Sequence, residues 1–144
     1  MSFQGTHEVS VDAKGRIAVP TKQRAYFAAG AVLTAHPDNC LFLYPQLEWE
    51  RVQAQFVDAN TADPHTRWWQ RTMIGSAETI EELDSAGRIL IPQVLREFAK
   101  ISDTVRFVGA VNRFELWDPA VYRAEYDAQR PVMIAASSGG GVKV

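Results

Sequence analysis

The alternation of polar and apolar residues near the start of the chain predicts two short strands joined by a turn. Residues 6–11 alternate with a period of two, as a strand does when one of its faces is buried. Residues 12–15 carry turn-forming side chains, and residues 16–19 predict a second strand. Pro20 fits the first position of a helix, because the amide hydrogen that proline lacks has no intrahelical partner there. We expect that helix to end near Gly30.

The same pattern returns later in the chain, which indicates an internal repeat. Residues 84–96 match residues 12–24 at an offset of 72, and residues 114–117 correspond to residues 41–44 at an offset of 73. The matched positions, one of them conservative, are Asp12/Asp84, Gly15/Gly87, Arg16/Arg88, Ile17/Ile89, Val19/Ile91, Pro20/Pro92 and Arg24/Arg96. The chain therefore holds two copies of a unit of about 45 residues.

A sheet-and-turn unit of this size cannot bury a core alone, so we expect the two copies to pack on each other. The expected fold class is α+β, with approximate two-fold symmetry. Helical patterns outside the copies cover 46–57, 63–75 and 120–130. The expected domains are a first unit over 6–50, linking helices over 51–76, a second unit over 77–121, and a C-terminal helix with a disordered tail over 122–144.

Composition raises an objection to nucleic-acid binding and then limits it. The 144 residues are 47% hydrophobic and 22% charged, which excludes a largely disordered chain. The net charge of −2 at pH 7 argues against a nucleic-acid binder when it is taken as a whole. The charge is unevenly placed, however, because residues 12–24 carry four basic side chains against one acid, whereas residues 84–96 carry two against one. The first copy is therefore the basic one.

The matched turns have two interpretations. In the structural one, the Asp side chain accepts a backbone amide and pairs with the Arg of its own turn, while Gly supplies the left-handed conformation. In the functional one, the strands form a ribbon narrow enough for a DNA major groove, with Lys14 and Arg16 at its tip. Lys22 and Arg24, one turn into the helix, would meet phosphates. For Arg24 and its counterpart Arg96, the alternative is structural pairing with carboxylates at the rim of the core.

These motifs resemble those of the MraZ family of bacterial regulators, which carry two SpoVT-AbrB-type units in one chain. The resemblance spans about residues 3–130. It rests on Phe3-Gln4-Gly5, Asp12-Ala13-Lys14-Gly15-Arg16, Tyr44-Pro45 followed by Trp49, Asp84-Ser85-Ala86-Gly87-Arg88, and Phe114-Glu115-Leu116-Trp117. It implies a fold of duplicated swapped-hairpin AbrB-like β-barrel units, with pseudo-two-fold symmetry and flanking helices.

The same resemblance implies sequence-specific binding to double-stranded DNA and regulation of transcription at the bacterial division and cell wall gene cluster. Members of the family often act on their own promoter through direct repeats, and they assemble into rings, so a homo-oligomer is expected. The motif places the DNA-contacting loop on Lys14, Gly15 and Arg16, with Arg88 as its counterpart. The second copy has Ala86 in place of Lys14, so an equal share of DNA contact does not follow for Arg88.

Other classes of protein have less support in the sequence. Residues 36–40 offer three types of metal ligand, but we interpret them as a hairpin turn followed by a buried Cys40, because no second cluster completes a coordination sphere. We find no catalytic motif, and we expect no enzyme activity, metal, cofactor or small-molecule substrate. No window is long and apolar enough to span a membrane, and a single cysteine suits a reducing compartment, so we expect a cytoplasmic protein. The DNA binding that the resemblance implies would associate it with the nucleoid. The remaining rival is a protein-interaction module, because AbrB-like units also serve as antitoxin dimerisation domains.

Overall fold

Strands and helices follow one another in the order that the repeat predicts. The computed structural model describes residues 1–136 and residue 142. Its strands are β1 (Thr6–Ser10), β2 (Arg16–Ala18), β3 (Ala31–His36), β4 (Cys40–Pro45), β5 (Glu78–Ile80), β6 (Arg88–Leu90), β7 (Thr104–Gly109) and β8 (Phe114–Trp117). Its helices are a 3-10 helix (Thr21–Phe27), α1 (Gln46–Val57), α2 (Pro64–Trp69), which continues into a π-helical turn (Gln70–Ile74), α3 (Gln93–Ala99) and α4 (Pro119–Ala135).

The two repeats exchange strands in the main sheet. Its strands are all antiparallel to their neighbours and lie in the order β1-β7-β8-β4-β3-β5. The first strand of each repeat thus pairs with the third strand of the other, β1 with β7 and β5 with β3. At the centre, β4 pairs with β8, and Phe42 lies opposite Glu115, its own counterpart in the second repeat. The pairing of β4 with β8 is therefore symmetric under exchange of the two repeats. Neither repeat therefore completes the sheet alone.

A second sheet of two strands joins the repeats through β2 and β6. The paired residues are Arg16 with Leu90, Ile17 with Ile89, and Ala18 with Arg88. Two further backbone hydrogen bonds of 2.9 Å extend this pairing, from the Val19 amide to the Gly87 carbonyl and from the Ile91 amide to the Gly15 carbonyl. We call this unit, formed by residues 12–19 and 84–91, the β2–β6 ribbon. Its hydrogen bonds are symmetric under exchange of the two repeats.

The largest core cluster joins the ribbon to the main sheet, since it contains the apolar residues of both. At its centre the ring of Phe114 lies 4.8 Å from that of Phe3 and 5.1 Å from that of Phe107. Ile17 and Ile89, the central pair of the ribbon, are buried in the same cluster. Full burial of one such side chain stabilises a fold by about 1.5–3 kcal/mol. The two repeats are therefore held together by one shared apolar core.

The opposite face of the sheet packs against helices. Alternate residues of β4 enter different clusters, because neighbouring side chains of a strand point to opposite faces. Leu41 and Leu43 belong to the core beside the ribbon, whereas Phe42 and Tyr44 belong to the second cluster. The other buried members of this second cluster are Val32, Cys40, Trp49, Met73 and Trp117.

Helices α2 and α4 begin at Asp-Pro pairs, as the sequence predicts. The carboxylate of Asp63 accepts the amide of His65 at 2.9 Å, and that of Asp118 accepts the amide of Val121 at 3.1 Å. Each cap satisfies an amide that has no intrahelical partner.

Some elements differ from the expected ones. The helix after β2 is a 3-10 helix, whereas its counterpart α3 is an α-helix. Helix α4 continues past its expected end at residue 130 and contains Pro131, which forgoes one intrahelical hydrogen bond. The tail expected to be disordered lies for the most part outside the described residues.

Candidate nucleic-acid interface

The turn before β2 is closed by the carboxylate of Asp12. Its Oδ1 accepts the amide of Lys14 at 2.9 Å and that of Arg16 at 2.8 Å, while its Oδ2 accepts Nε of Arg16 at 2.8 Å. The amide of Gly15 donates to the Asp12 carbonyl at 3.0 Å. Gly15 has a φ of +84°, a conformation that side chains with a Cβ rarely adopt. The turn therefore fixes the start of the Arg16 side chain and leaves Lys14 exposed.

The turn before β6 has the same construction. Oδ1 of Asp84 accepts the amides of Ala86 at 3.0 Å and Arg88 at 2.8 Å, and Oδ2 accepts Nε of Arg88 at 2.8 Å. Gly87 also has a positive φ, of +74°. The pairing of Asp with Arg inside the turn, a feature of the structural interpretation, occurs in both repeats. The repeated motif thus builds the same structure twice.

Hydrogen bonding stabilises the ionised form of both turn carboxylates and so lowers their pKa. The pKa of Asp12 is lowered chiefly by the hydrogen bond from the backbone amide of Arg16. The pKa of Asp84 is lowered chiefly by the equivalent bond from the amide of Arg88. In each turn the arginine side chain lowers the pKa further.

The pairing of β2 with β6 brings the two turn arginines to one carboxylate. Oδ2 of Asp12, which already accepts Nε of Arg16, lies 3.7 Å from a terminal guanidinium nitrogen of Arg88. About a third of each arginine side chain is exposed. Among the described residues, the terminal nitrogens of Arg16 have no hydrogen-bond partner. The ribbon therefore presents two neighbouring guanidinium groups, and that of Arg16 is less engaged within the protein.

Lys22 and Arg24, both predicted to meet phosphates, have different environments. Lys22 is exposed. Arg24 is half-buried, and its Nε donates to the carbonyl of Val19 at 2.8 Å. Its guanidinium lies against the turn of the other repeat, where a Cβ added to Gly87 would collide with it. Arg24 therefore contacts the second turn while it belongs to the first repeat.

Arg96 occupies the equivalent position in the second repeat. Its Nε donates to the carbonyl of Ile91 at 3.0 Å, and a Cβ added to Gly15 would lie 2.9 Å from its Cζ. The expectation that Arg24 and Arg96 pair with carboxylates is wrong for the described part of the chain. A strand-end carbonyl lies within reach of each Nε, and the glycine of the opposite turn leaves room for the guanidinium.

Acidic residues of the second repeat limit the positive surface beside both turn arginines. Glu78, Glu82 and Asp84 line one shallow depression together with Arg16 and Arg88. These carboxylates repel an anionic ligand such as a phosphate, because like charges repel each other. The end of the ribbon that carries the exposed Lys14 is therefore the more favourable one for phosphate.

The helix-covered face carries a separate cleft of about 450 Å³. Its aromatic and imidazole lining consists of His36, Phe42, Tyr44, Phe56, His65 and Trp69. The ring of His36 stacks on that of Phe42, with centroids 4.0 Å apart. Burial raises the pKa of the nearby Cys40 thiol, so the sulfur stays protonated.

No trio of His, Cys, Asp or Glu side chains suited to a metal ion occurs in the described part of the chain. Across the same residues, no helix has the length and apolar character needed to cross a membrane.

The sequence did not indicate two contacts of the candidate interface. These are the approach of Arg88 to Asp12 and the packing of each helix arginine on the opposite turn. The repeat contains a usable signal, since each turn is followed by an arginine at the same distance along the chain. Two repeats that pack symmetrically place such an arginine either on its own turn or on the opposite one. Spacing alone does not distinguish these arrangements.

Comparison with known proteins identifies the family. The sequence profile described as "MraZ protein, putative antitoxin-like" matches residues 2–72 and again residues 73–136. The protein named transcriptional regulator MraZ of Dechloromonas aromatica is 43% identical over 129 residues, which cover 87% of this chain and 86% of that protein. The protein of the same name from Methylobacillus flagellatus is 43% identical over 127 residues, 85% of either chain. With both repeats matched and the paired turns in place, the chain belongs to the MraZ family.

Proposed function

We propose that this chain is a sequence-specific DNA-binding transcriptional regulator. The observation that carries the proposal is the β2–β6 ribbon, on which Arg16 and Arg88 approach the same carboxylate. A two-stranded ribbon fits the width of the major groove. The relatives' name supports a regulatory role and is not that of an enzyme class, so we propose no catalytic activity and no cofactor.

In this proposal the first turn makes the main contact with double-stranded DNA. Arg16 has free terminal nitrogens with which to grip the acceptor edge of a guanine, an interaction worth about 1–3 kcal/mol of discrimination. Gly15 gives this DNA-contacting loop its shape through a positive φ, while Lys14 and Lys22 are exposed and meet phosphates. Arg88 is the counterpart of Arg16 in the second turn.

The second turn contributes less than the first. A terminal nitrogen of Arg88 is already near Asp12, and Ala86 stands where the first turn has Lys14. Glu78, Glu82 and Asp84 border both arginines, so the difference between the turns rests on Asp12 and on the missing lysine. The proposed interface is therefore lopsided, with the first repeat as its stronger half.

We further propose that copies of this chain assemble into a ring. A net charge of −2 disfavours strong non-specific binding by one copy, whereas several linked ribbons would bind repeated DNA sites with high effective concentration. Direct repeats in the protein's own promoter, at the head of the division and cell wall gene cluster, are the proposed target. The protein would then be cytoplasmic and associated with the nucleoid.

The interleaved strand pairing supports the assignment of residues 6–50 and 77–121 as swapped-hairpin AbrB-like units with pseudo-two-fold symmetry. Residues 51–76 would link them, and residues 122–144 would follow them.

Fluorescence anisotropy with the gene's upstream DNA and a scrambled duplex tests the proposal. We expect preference for the upstream DNA, lost in Arg16→Ala and kept in Arg123→Ala, which removes an exposed arginine of α4 far along the sequence from the ribbon. Melting temperature should be unchanged in Arg123→Ala and only slightly lower in Arg16→Ala, which removes a partly exposed ion pair with Asp12. Equal affinity for the two duplexes at moderate salt would contradict the proposal.

The alternative function is a protein-interaction module, which the words "putative antitoxin-like" in the family's description favour. In that case the protein would show no preference for upstream DNA, and Arg16→Ala would not change its affinity for the protein partner.

A further inference from the structure

Each turn of the ribbon is covered by an arginine from the other repeat. Arg96 lies against Gly15 of the first turn, and Arg24 lies against Gly87 of the second. The candidate DNA-contacting turn of one repeat thus packs on a side chain that lies outside it and far away along the chain.

The contact at Gly15 is fixed by hydrogen bonds on both sides. Nε of Arg96 donates to the carbonyl of Ile91 at 3.0 Å, and the amide of Ile91 donates to the carbonyl of Gly15 at 2.9 Å. The guanidinium of Arg96 is therefore hydrogen-bonded to Ile91, and Ile91 is hydrogen-bonded to the first turn. A Cβ on Gly15 would lie 2.9 Å from Cζ and 3.1 Å from Nε of Arg96, so the guanidinium occupies the space that a side chain there would need.

The contact at Gly87 repeats this arrangement with the repeats exchanged. Nε of Arg24 donates to the carbonyl of Val19 at 2.8 Å, and the amide of Val19 donates to the carbonyl of Gly87 at 2.9 Å. Two independent occurrences of one arrangement show that it follows from the motif and its duplication.

We propose that Arg96 is a positioning residue for the DNA-contacting turn of the first repeat, and that Arg24 has this role for the second. The inference rests on the proposed function. Asp12 sets the shape of the first turn from within, whereas Arg96 sets its position relative to Ile91, just after β6, from outside. Guanidinium planarity is essential to this role, because a flat group with a fixed Nε donor fills the narrow space above a glycine.

These roles are the opposite of those expected from the net charge of each repeat. Arg24 lies in the basic repeat and was predicted to meet phosphate, yet it supports the turn that contains Ala86 and Arg88. Arg96 lies in the repeat with less positive charge, yet it supports the turn that contains Lys14 and Arg16. Loss of Arg96 should therefore harm DNA binding more than loss of Arg24.

Substitution by lysine tests this, because it keeps the charge and removes the planar guanidinium. We expect Arg96→Lys in the full-length protein to weaken binding to upstream DNA by about tenfold, the order of one misplaced bidentate base contact, and Arg24→Lys to weaken it less. The dependence of log affinity on log salt should stay unchanged in both variants, since no phosphate contact is lost. Full binding by Arg96→Lys, or a greater loss in Arg24→Lys, would overturn the proposal.

Combination with Arg16→Ala shows whether Arg96 acts through the turn. If it does, Arg96→Lys causes no further loss of affinity once Arg16 is absent, whereas an independent phosphate contact makes the two losses add. Additive losses would count against the proposal.

Amide chemical shifts give a readout that does not depend on DNA. In the free protein, Arg96→Lys should shift the Gly15 amide resonance and leave that of Gly87 in place, and Arg24→Lys should do the reverse. An unmoved Gly15 resonance would refute the positioning role. Absence of any preference for upstream DNA in the unsubstituted protein would refute the proposed function instead.

Discussion

A terminal nitrogen of Arg88 lies 3.7 Å from Oδ2 of Asp12, although the two residues belong to different repeats. Asp12 holds its own arginine, Arg16, through the same oxygen at 2.8 Å. The carboxylate of the first turn therefore influences both candidate DNA-reading side chains, whereas Asp84 forms an ion pair with Arg88 alone among the described residues. Duplication has produced one composite surface in which the two turns are electrostatically unequal.

Asp12→Asn should reduce the discrimination between upstream and scrambled DNA. The amide oxygen of asparagine can still accept the backbone amides of the turn, but the substitution removes the charge that orients Arg16 and engages Arg88. Affinity for scrambled DNA should rise, since one negative charge leaves the interface. Asp84→Asn should have a smaller effect on discrimination. Competition binding measures both ratios, and an unchanged ratio in Asp12→Asn would show that Asp12 does not orient the arginines.

Ala86→Lys should strengthen DNA binding, because it supplies to the second turn the lysine that the first turn has. Ala86 is exposed, so the new side chain needs no repacking. A single added phosphate contact should steepen the dependence of log affinity on log salt by about 0.9. Ser85→Lys, which adds the same charge one position earlier, is the matched control and should change the slope less. Equal slopes in the two variants would indicate a general charge effect without a specific contact.

The sequence predicted local structure well because local structure depends on neighbouring residues. Alternation located β1, the Asp–Gly–Arg spacing located both turns, and the Asp-Pro pairs located the starts of α2 and α4. The repeat also predicted that the copies share a core. Ile17 and Ile89 are buried together, as that expectation requires.

Hydrophobic patterning alone could not predict the choice of partner strand, although the family resemblance implies swapped hairpins. Hydrophobic alternation along β1 tells which face is buried, but β1 could satisfy it beside β3 of its own repeat or beside β7 of the other. The packing of Arg24 and Arg96 on the opposite turns follows from that exchange, so their environment was equally hidden. Their charge suggested phosphate or carboxylate partners, whereas in the structure the Nε of each arginine donates to a backbone carbonyl.

Phe114→Ala should destabilise the fold by about 3–5 kcal/mol, the usual cost of removing a buried aromatic ring. Its ring is fully buried and lies 4.8 Å from that of Phe3 and 5.1 Å from that of Phe107, so the cavity would open where the two repeats meet. Val94→Ala removes an exposed side chain of α3 and should change stability by no more than about 0.5 kcal/mol. Urea denaturation followed by tryptophan fluorescence measures both changes. A small loss in Phe114→Ala would mean that the repeats do not depend on this shared core.

Thermal stability should decrease on acidification through the region below pH 6.5, because burial lowers the pKa of His36 from its ordinary value of 6.5. Its Nδ1 accepts the amide of Asp38 at 3.1 Å, and its ring stacks on Phe42, so the neutral form fits the fold. Asp38 and Glu115 favour the protonated form and Arg113 opposes it, but burial has the largest effect.

The sign follows from proton binding. A lowered pKa in the folded state means that the unfolded chain binds more protons between that pKa and 6.5, so stability is greatest above pH 6.5 and falls as pH drops below it. His36→Asn keeps an acceptor for the Asp38 amide and removes the titrating group. Its melting temperature should be lower than that of the unsubstituted protein, but it should change less between about pH 7.5 and about pH 5.5. These two values lie on either side of the ordinary histidine pKa of about 6.5. His7→Asn replaces a histidine outside the Phe42 stack, leaves His36 in place, and is the matched control. Melting curves that fall equally with pH in the unsubstituted protein and in His36→Asn would assign the acid sensitivity to other groups.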